Sequence, residues 1–330
     1  MEKTNKKTNN IFRKMIPGLL LGFLALLGLA LAGDLRQVYS VMQVFDWRLF
    51  PLALLFTLFN YILRFIKWHY YLGLMDIQRP VWTESLRLFV AGFPLAVTPG
   101  KAGEVLKGVW LKQKTGLPVA KGISVVLAER ISDGLAVLFL STLGVVVYPQ
   151  YWPAFFIILA GLLGIIIISQ IRPAAIWLLN LAGKIPVVKR IVPGLLEFYE
   201  GSYVLFKPKA TLTAVGLGTV SWLGEGVGFY FLLTGLGLEA NSKLLLLAVF
   251  TLSFSTVVGA VSALPGGLGA AEASIAGMLV VLAGISAPIA SAGTLLIRLA
   301  TLWFGVFLGL VTWLISPEFF RYGEDDVRYE

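Results

Sequence analysis

Two arginines, Arg130 and Arg298, stand inside long apolar runs, each at a matched distance after a Pro-Gly break: 31 residues from Pro99 to Arg130 and 33 from Pro265 to Arg298. A glutamate soon follows each break, Glu104 after TPGKAG and Glu272 after LPGGLG. A guanidinium at membrane depth can hold a phosphate by charge-assisted hydrogen bonds. A helix that starts afresh after a break offers free N–H groups and the positive end of its dipole to the same anion, and Lys101 adds a full charge at the first break. These residue types suit the holding of an anion. The competing account is a tight turn chosen for packing, with Lys101 reaching out to the surface.

Further ionisable groups lie close by. LAERISDGLAV carries Glu129, Arg130 and Asp133, where Glu129 and Asp133 share a helix face and Arg130 reaches Asp133 at i+3. Three charges in five residues of a spanning helix require pairing or water, since each alone costs about 2.5–3.5 kcal/mol at midplane. A structural ion-pair network near the cytoplasmic end of the helix accounts for them equally well. Arg298 is isolated in GTLLIRLATLW and needs a partner from elsewhere; Glu272 fills that place by symmetry, and a phosphate would serve as well. Glu225, in WLGEGVGF, has no basic neighbour in its own span, which singles it out as the group to bind and release a proton, with a packing role as the alternative. His69 in IKWHYYL fits an interfacial aromatic belt, and no metal-ligand cluster or Walker lysine is visible, so no cofactor is expected.

The elements that must position these groups follow from composition. Of 330 residues, 58% are hydrophobic and 14% charged, and the apolar residues fall in runs of about twenty, the length that crosses a hydrocarbon core. The expected fold is an all-α polytopic membrane protein. Six spanning helices are read at 15–33, 49–68, 120–147, 153–171, 210–234 and 288–315, with two re-entrant hairpins at about 84–110 and 244–284. Broken backbone is tolerated at membrane depth only inside protein or along a wet cavity, so Pro99, Gly100 and Gly103, and Pro265, Gly266, Gly267 and Gly269, are the expected hairpin tips, meeting in the middle of the protein. Three spans separate the breaks, so the copies enter from opposite sides as an inverted repeat.

A net charge of +9 does not point to nucleic acid, because the basic residues follow topology: with a cytoplasmic N-terminus, 21 Lys and Arg are cytoplasmic and three, Arg36, Arg48 and Lys243, lie outside. Both termini are expected in the cytoplasm. The domain reading is a basic N-terminus at 1–14, one transmembrane domain at 15–315 and a short tail at 316–330, which leaves no room for an appended soluble enzyme. Asp34 to Trp47 suits a short helix at the outer interface, with a plain connector as the favoured role, and Arg172 to Lys209 suits a surface helix beside anionic lipid heads, its charges equally explained by ordinary positive-inside bias.

TPGKAGEVLKG at 98–108, LAERISDGLAVLFL at 127–140, and PGGLGAAEA at 265–273 followed by LLIRLATLWFGVFLGL make the chain resemble the lysylphosphatidylglycerol synthase transmembrane family, or flippase-like domain proteins. The resemblance covers most of the chain. In the multiple peptide resistance factors of that family such a domain moves aminoacylated phosphatidylglycerol across the bilayer and is fused to an aminoacyl-transferase domain. Lys101 stands where the family commonly has arginine, which keeps the charge but loses bidentate recognition. The resemblance implies a lipid flippase, not an enzyme, of the cell membrane. Lys101, Glu104, Glu129, Arg130, Asp133, Glu272 and Arg298 would line its path. Its partners would be lipids with phosphate-containing heads, a lipid-modifying enzyme and further copies of the chain. The rival readings are a membrane subunit of a lipid aminoacyl- or glycosyltransferase and an ion-coupled transporter of small anions.

Overall fold

The computed structural model describes residues 34–75, 79–98, 103–145, 152–182, 189–316 and 318–321, with single positions at 20, 22, 24, 28 and 184. Among these residues every regular element is helical, and the protein is an all-α polytopic membrane protein. The expected span at 15–33 lies outside the described stretches. A short helix, α1 (Leu35–Val44), follows, started by Asp34, whose carboxylate accepts from the Arg36 N–H. Next come α2 (Leu49–Leu74), α3 (Trp82–Ala91) with a 3-10 turn at Phe93–Val97, and α4 (Val105–Thr115). The long α5 (Val119–Val145) and α6 (Trp152–Gln170) lead into α7 (Arg172–Ala182) and α8 (Val192–Leu205). The chain continues through α9 (Pro208–Gly235), α10 (Ser242–Val261), a 3-10 turn at Pro265–Gly267, and α11 (Ala270–Ala283). The last span is a continuous run of α12 (Ala287–Arg298), a π turn at Leu299–Trp303 and α13 (Phe304–Ile315).

Four stretches among the described residues are long and apolar enough to cross a membrane: Leu49–Leu74, Ser242–Val261, Pro265–Ala283 and Ala287–Ile315. Two more of the expected spans, α5 with 27 residues and α9 with 28, have the length but carry buried charge, and α6 bends by 82° into the next helix. The two hairpins differ. In the first, α3 and α4 have 10 and 11 residues, about 15 Å each, half of a hydrocarbon core, as a re-entrant loop requires. In the second, α10 has 20 residues, about 30 Å, enough to cross on its own. Two crossings in succession return the chain to the side it left, as a re-entrant loop would, so the parity of the other spans is unaffected.

The segment leading into the first break meets the second, while Pro99 and Gly100 themselves lie outside the described residues. The Phe93–Val97 turn touches the Pro265–Gly267 turn, and a Cβ placed on Gly266 would lie 3.3 Å from Val97. Gly266, Gly267 and Gly269 take φ of 61°, 67° and 86°, values that glycine adopts without strain. A Cβ on Gly267 would also press against the Gly259 backbone at 2.9 Å, so the turn is tucked against α10. At the first break, the Thr98 hydroxyl donates to Leu95 O at 2.6 Å and accepts from Gly103 N–H at 2.9 Å, tying the two arms together.

Two apolar cores form at opposite ends of α2. Phe65, Trp68, Tyr71 and Leu72 pack with Leu88, Phe89, Trp110 and Val306 around the first hairpin. Ala53 packs with Phe229, Leu252, Ile275 and Leu296 around the second. Between them α9 lies along α2, where Gly224 and Gly228 let Phe56 and Phe59 approach its backbone. The periphery exposes Ile157, Leu212, Val281, Phe307 and Leu314, an arrangement stable in lipid and unfavourable in water.

Candidate functional site

Each break glutamate pairs with the arginine of the helix that follows. Arg298 Nε donates to Glu272 Oε1 at 2.5 Å while its Nη2 donates to Gly266 O at 3.0 Å, so one guanidinium holds both the turn and the start of α11. The same carboxylate accepts from Gly269 N–H through Oε2 at 2.7 Å, capping α11. In the first copy Arg130 Nε lies 3.6 Å from Glu104 Oε2. Both arginines sit eleven residues into their helices, about 16 Å from the start. If α5 and α12 start at opposite faces of the membrane, both side chains reach mid-depth.

Two expectations about the first cluster need correction. Arg130 does not pair with Asp133 along the helix; its Nη2 donates to Glu129 Oε1 at 2.9 Å. Asp133 instead takes Lys67 and Arg64 from α2, the latter at 3.4 Å, because that helix brings two cations to its carboxylate. Glu129, fully buried, is held by Arg64 Nη2 at 3.0 Å and Lys107 Nζ at 3.5 Å as well as by Arg130. Arg64, Lys67 and Lys107 were counted among the cytoplasmic charges. They are interior residues, at 11%, 0% and 3% side-chain exposure, and leave that count. Lys107 also lies 4.9 Å from the centre of the Trp68 ring, which offsets part of the cost of burying its ammonium.

These groups surround a cavity of about 490 Å³. Its charged lining is Arg64, Glu104, Lys107, Arg130, Asp133, Glu225 and Arg298, with Tyr61 and Trp222. Val137, Ile158, Leu162, Leu252, Val257 and Ile275 from α5, α6, α10 and α11 supply apolar lining. Gly266 and Gly267 of the second break and Phe93 and Ala96 next to the first also face it. Tyr61 OH donates to Thr301 O at 2.7 Å, inside the π turn, where the wider helix leaves carbonyls without their usual partners.

Of the residues expected to line a path, Glu104, Arg130, Asp133 and Arg298 reach the cavity, together with Glu225. Glu129 and Glu272 stand behind it as buried partners of the arginines. Pro99, Gly100 and Lys101 lie outside the described residues. His69 lies among aromatics, with Nδ1 3.1 Å from Ser85 Oγ and its ring against Trp82 and Phe65.

The arrangement sets fixed cations and apolar side chains around one space and can hold an anion that carries an apolar group. Comparison with known proteins agrees with its setting in a membrane. The chain is 24% identical over 309 residues to a UPF0104 membrane protein of Methanothermobacter thermautotrophicus, covering 88% of this chain and 90% of that one. It is 26% identical over 188 residues to a UPF0104 membrane protein of Methanocaldococcus jannaschii, covering 54% of this chain and 74% of that one. No solved structure matches. The family model described as "Lysylphosphatidylglycerol synthase TM region" matches residues 15–309, and with nearly the whole chain aligned to it, the protein belongs to that family.

Proposed function

We propose that the protein is a lipid flippase rather than an enzyme, set in the cytoplasmic membrane with both termini in the cytoplasm. It passes a phosphate-bearing head, of the aminoacyl-phosphatidylglycerol or polyprenyl-phosphate kind, through the cavity while the chains stay in the bilayer. The observation that carries this reading is that both repeat arginines, the second break and residues just before the first face one cavity whose lining is part charged and part apolar. A volume of about 490 Å³ lies within the range of small-molecule sites, about 300–1,000 Å³, and gives room for a head group. Inserting an uncompensated charge at midplane costs about 2.5–3.5 kcal/mol or more, and fixed guanidinium groups lower that cost for a phosphate.

The test is lipid mass spectrometry on gently purified protein. A phosphate-headed lipid should be enriched over the bulk membrane, and the enrichment should fall in Arg298→Lys. A lipid profile identical to the bulk in both proteins contradicts the reading. The family's description names a synthase, so the second reading is a membrane subunit of a lipid-modifying enzyme. Co-purification of such an enzyme, with no lipid movement by the chain alone, would favour it. Uptake of a small anion without lipid movement would favour an ion-coupled transporter instead.

A further inference from the structure

Glu225 is the one carboxylate facing the cavity that makes no ion pair or hydrogen bond among the described residues, although it is only 5% exposed. Every other carboxylate of the cluster is held. Glu104 has Arg130, Glu129 has Arg64, Lys107 and Arg130, Asp133 has Lys67 and Arg64, and Glu272 has Arg298 and the Gly269 N–H. The groups facing Glu225 come from each helix packed on α9. These are Arg64 and the Tyr61 phenol from α2, Asp133 from α5 and Arg298 from α12. From α10 come the hydroxyls of Ser255 and Thr256. Arg64 also lies 5.8 Å from the centre of the Trp222 ring, one turn before Glu225, and the buried Trp222 indole N–H has no partner among the described residues.

The described charges balance. Arg64, Lys67, Lys107, Arg130 and Arg298 stand against Glu104, Glu129, Asp133, Glu225 and Glu272. A phosphodiester head entering this set brings one more negative charge into a low-dielectric interior, where an uncompensated charge is costly. Glu129, Asp133 and Glu272 cannot give up their charge without leaving Lys107, Lys67 or Arg298 without its carboxylate, and Glu104 is held by Arg130. Glu225 holds no cation among the described residues and can take a proton without breaking an ion pair. Resting on the flippase reading, we propose that Glu225 is the proton site of the cavity and that one proton enters with each singly charged phosphate head, removing the negative charge that would otherwise face the phosphate beside Arg64 and Arg298. The step moves a proton from water to the Glu225 carboxylate as the head enters, and returns it to water as the head leaves. Transport of such a lipid is then electroneutral, driven by a pH gradient and indifferent to membrane potential.

The test is calorimetric titration of the full chain in detergent with dihexanoyl-phosphatidylglycerol, a singly charged phosphodiester, in two buffers of different ionisation enthalpy. The difference in heat counts protons. The parent should take up about one proton per bound ligand, and Glu225→Gln should bind with none. Binding by the parent without proton uptake overturns the proposal and leaves the flippase reading standing. Equal uptake in Glu225→Gln also overturns it, because the proton then goes elsewhere. The zwitterionic dihexanoyl-phosphatidylcholine should bind with no uptake; a tighter fit for it that depends on Glu225 would make the carboxylate a counter-ion for ammonium and sink the proton role. Absence of any binding by the parent refutes the head-group reading and this inference together. If Glu225→Gln does not fold, Glu225→Ala takes its place and should likewise bind with no uptake; uptake equal to the parent's overturns the proposal.

Discussion

Arg298→Lys and Arg130→Lys are each expected to slow lipid translocation by about tenfold or more in a protein that remains folded, because lysine keeps the charge but not the planar fork. At Arg298 that fork makes two bonds in different directions, to Glu272 and to Gly266 O, and a single ammonium cannot reproduce both. The turn would then hold its position less firmly while a phosphate loses one of its two parallel donors. Arg298→Ala is a different experiment. It leaves Glu272 charged and buried, which costs about 3–5 kcal/mol of stability, so loss of activity there would report folding as much as transport. The lysine variants, with thermal unfolding measured in the same detergent, separate the two. Translocation at the parental rate in both would make these arginines structural.

Lys67→Met is expected to lower stability by about 3–5 kcal/mol, one of the largest effects of any single change in the cluster. Lys67 has no exposure and its ammonium sits on Asp133, so its removal strands a carboxylate inside the protein. Arg64, also close to Asp133, cannot fully replace it, because its terminal nitrogen is already committed to Glu129. The double variant Lys67→Met/Asp133→Asn should recover most of the loss, since both charges leave together. Unfolding midpoints of the parent, the two single variants and the double variant complete the cycle. A Lys67→Met protein as stable as the parent would mean that the pair contributes nothing.

The breaks, the glutamates after them and the two arginines could be read from the chain because each depends on local rules. Pro-Gly interrupts a helix wherever it stands, and the matched spacing to Arg130 and Arg298 placed both cations on the helices that follow. The missing part of the site came from α2. Its expected end at residue 68 put Arg64 and Lys67 in the last turns, where basic residues count as cytoplasmic anchors. The helix runs on to Leu74, so both cations lie well inside it, on a face that meets α5. Their i, i+3 spacing next to Trp68 was the available signal. Lys107 was misread for the same reason, since nothing in GEVLKG marks a lysine that turns inward to Glu129. The Arg130–Asp133 pairing failed because helical spacing states which side chains can meet, while the tertiary neighbour decides which do.

Whether this one chain carries phosphate-headed lipid across a bilayer is decided by reconstitution. Purified protein is placed in liposomes containing a fluorescent phosphatidylglycerol analogue in both leaflets, and an impermeant reductant is added outside. Bleaching should continue past the outer leaflet until the inner pool is consumed, and should slow in Arg298→Lys. Bleaching that stops at the outer leaflet, as in protein-free liposomes and with folded protein present, would contradict the flippase reading.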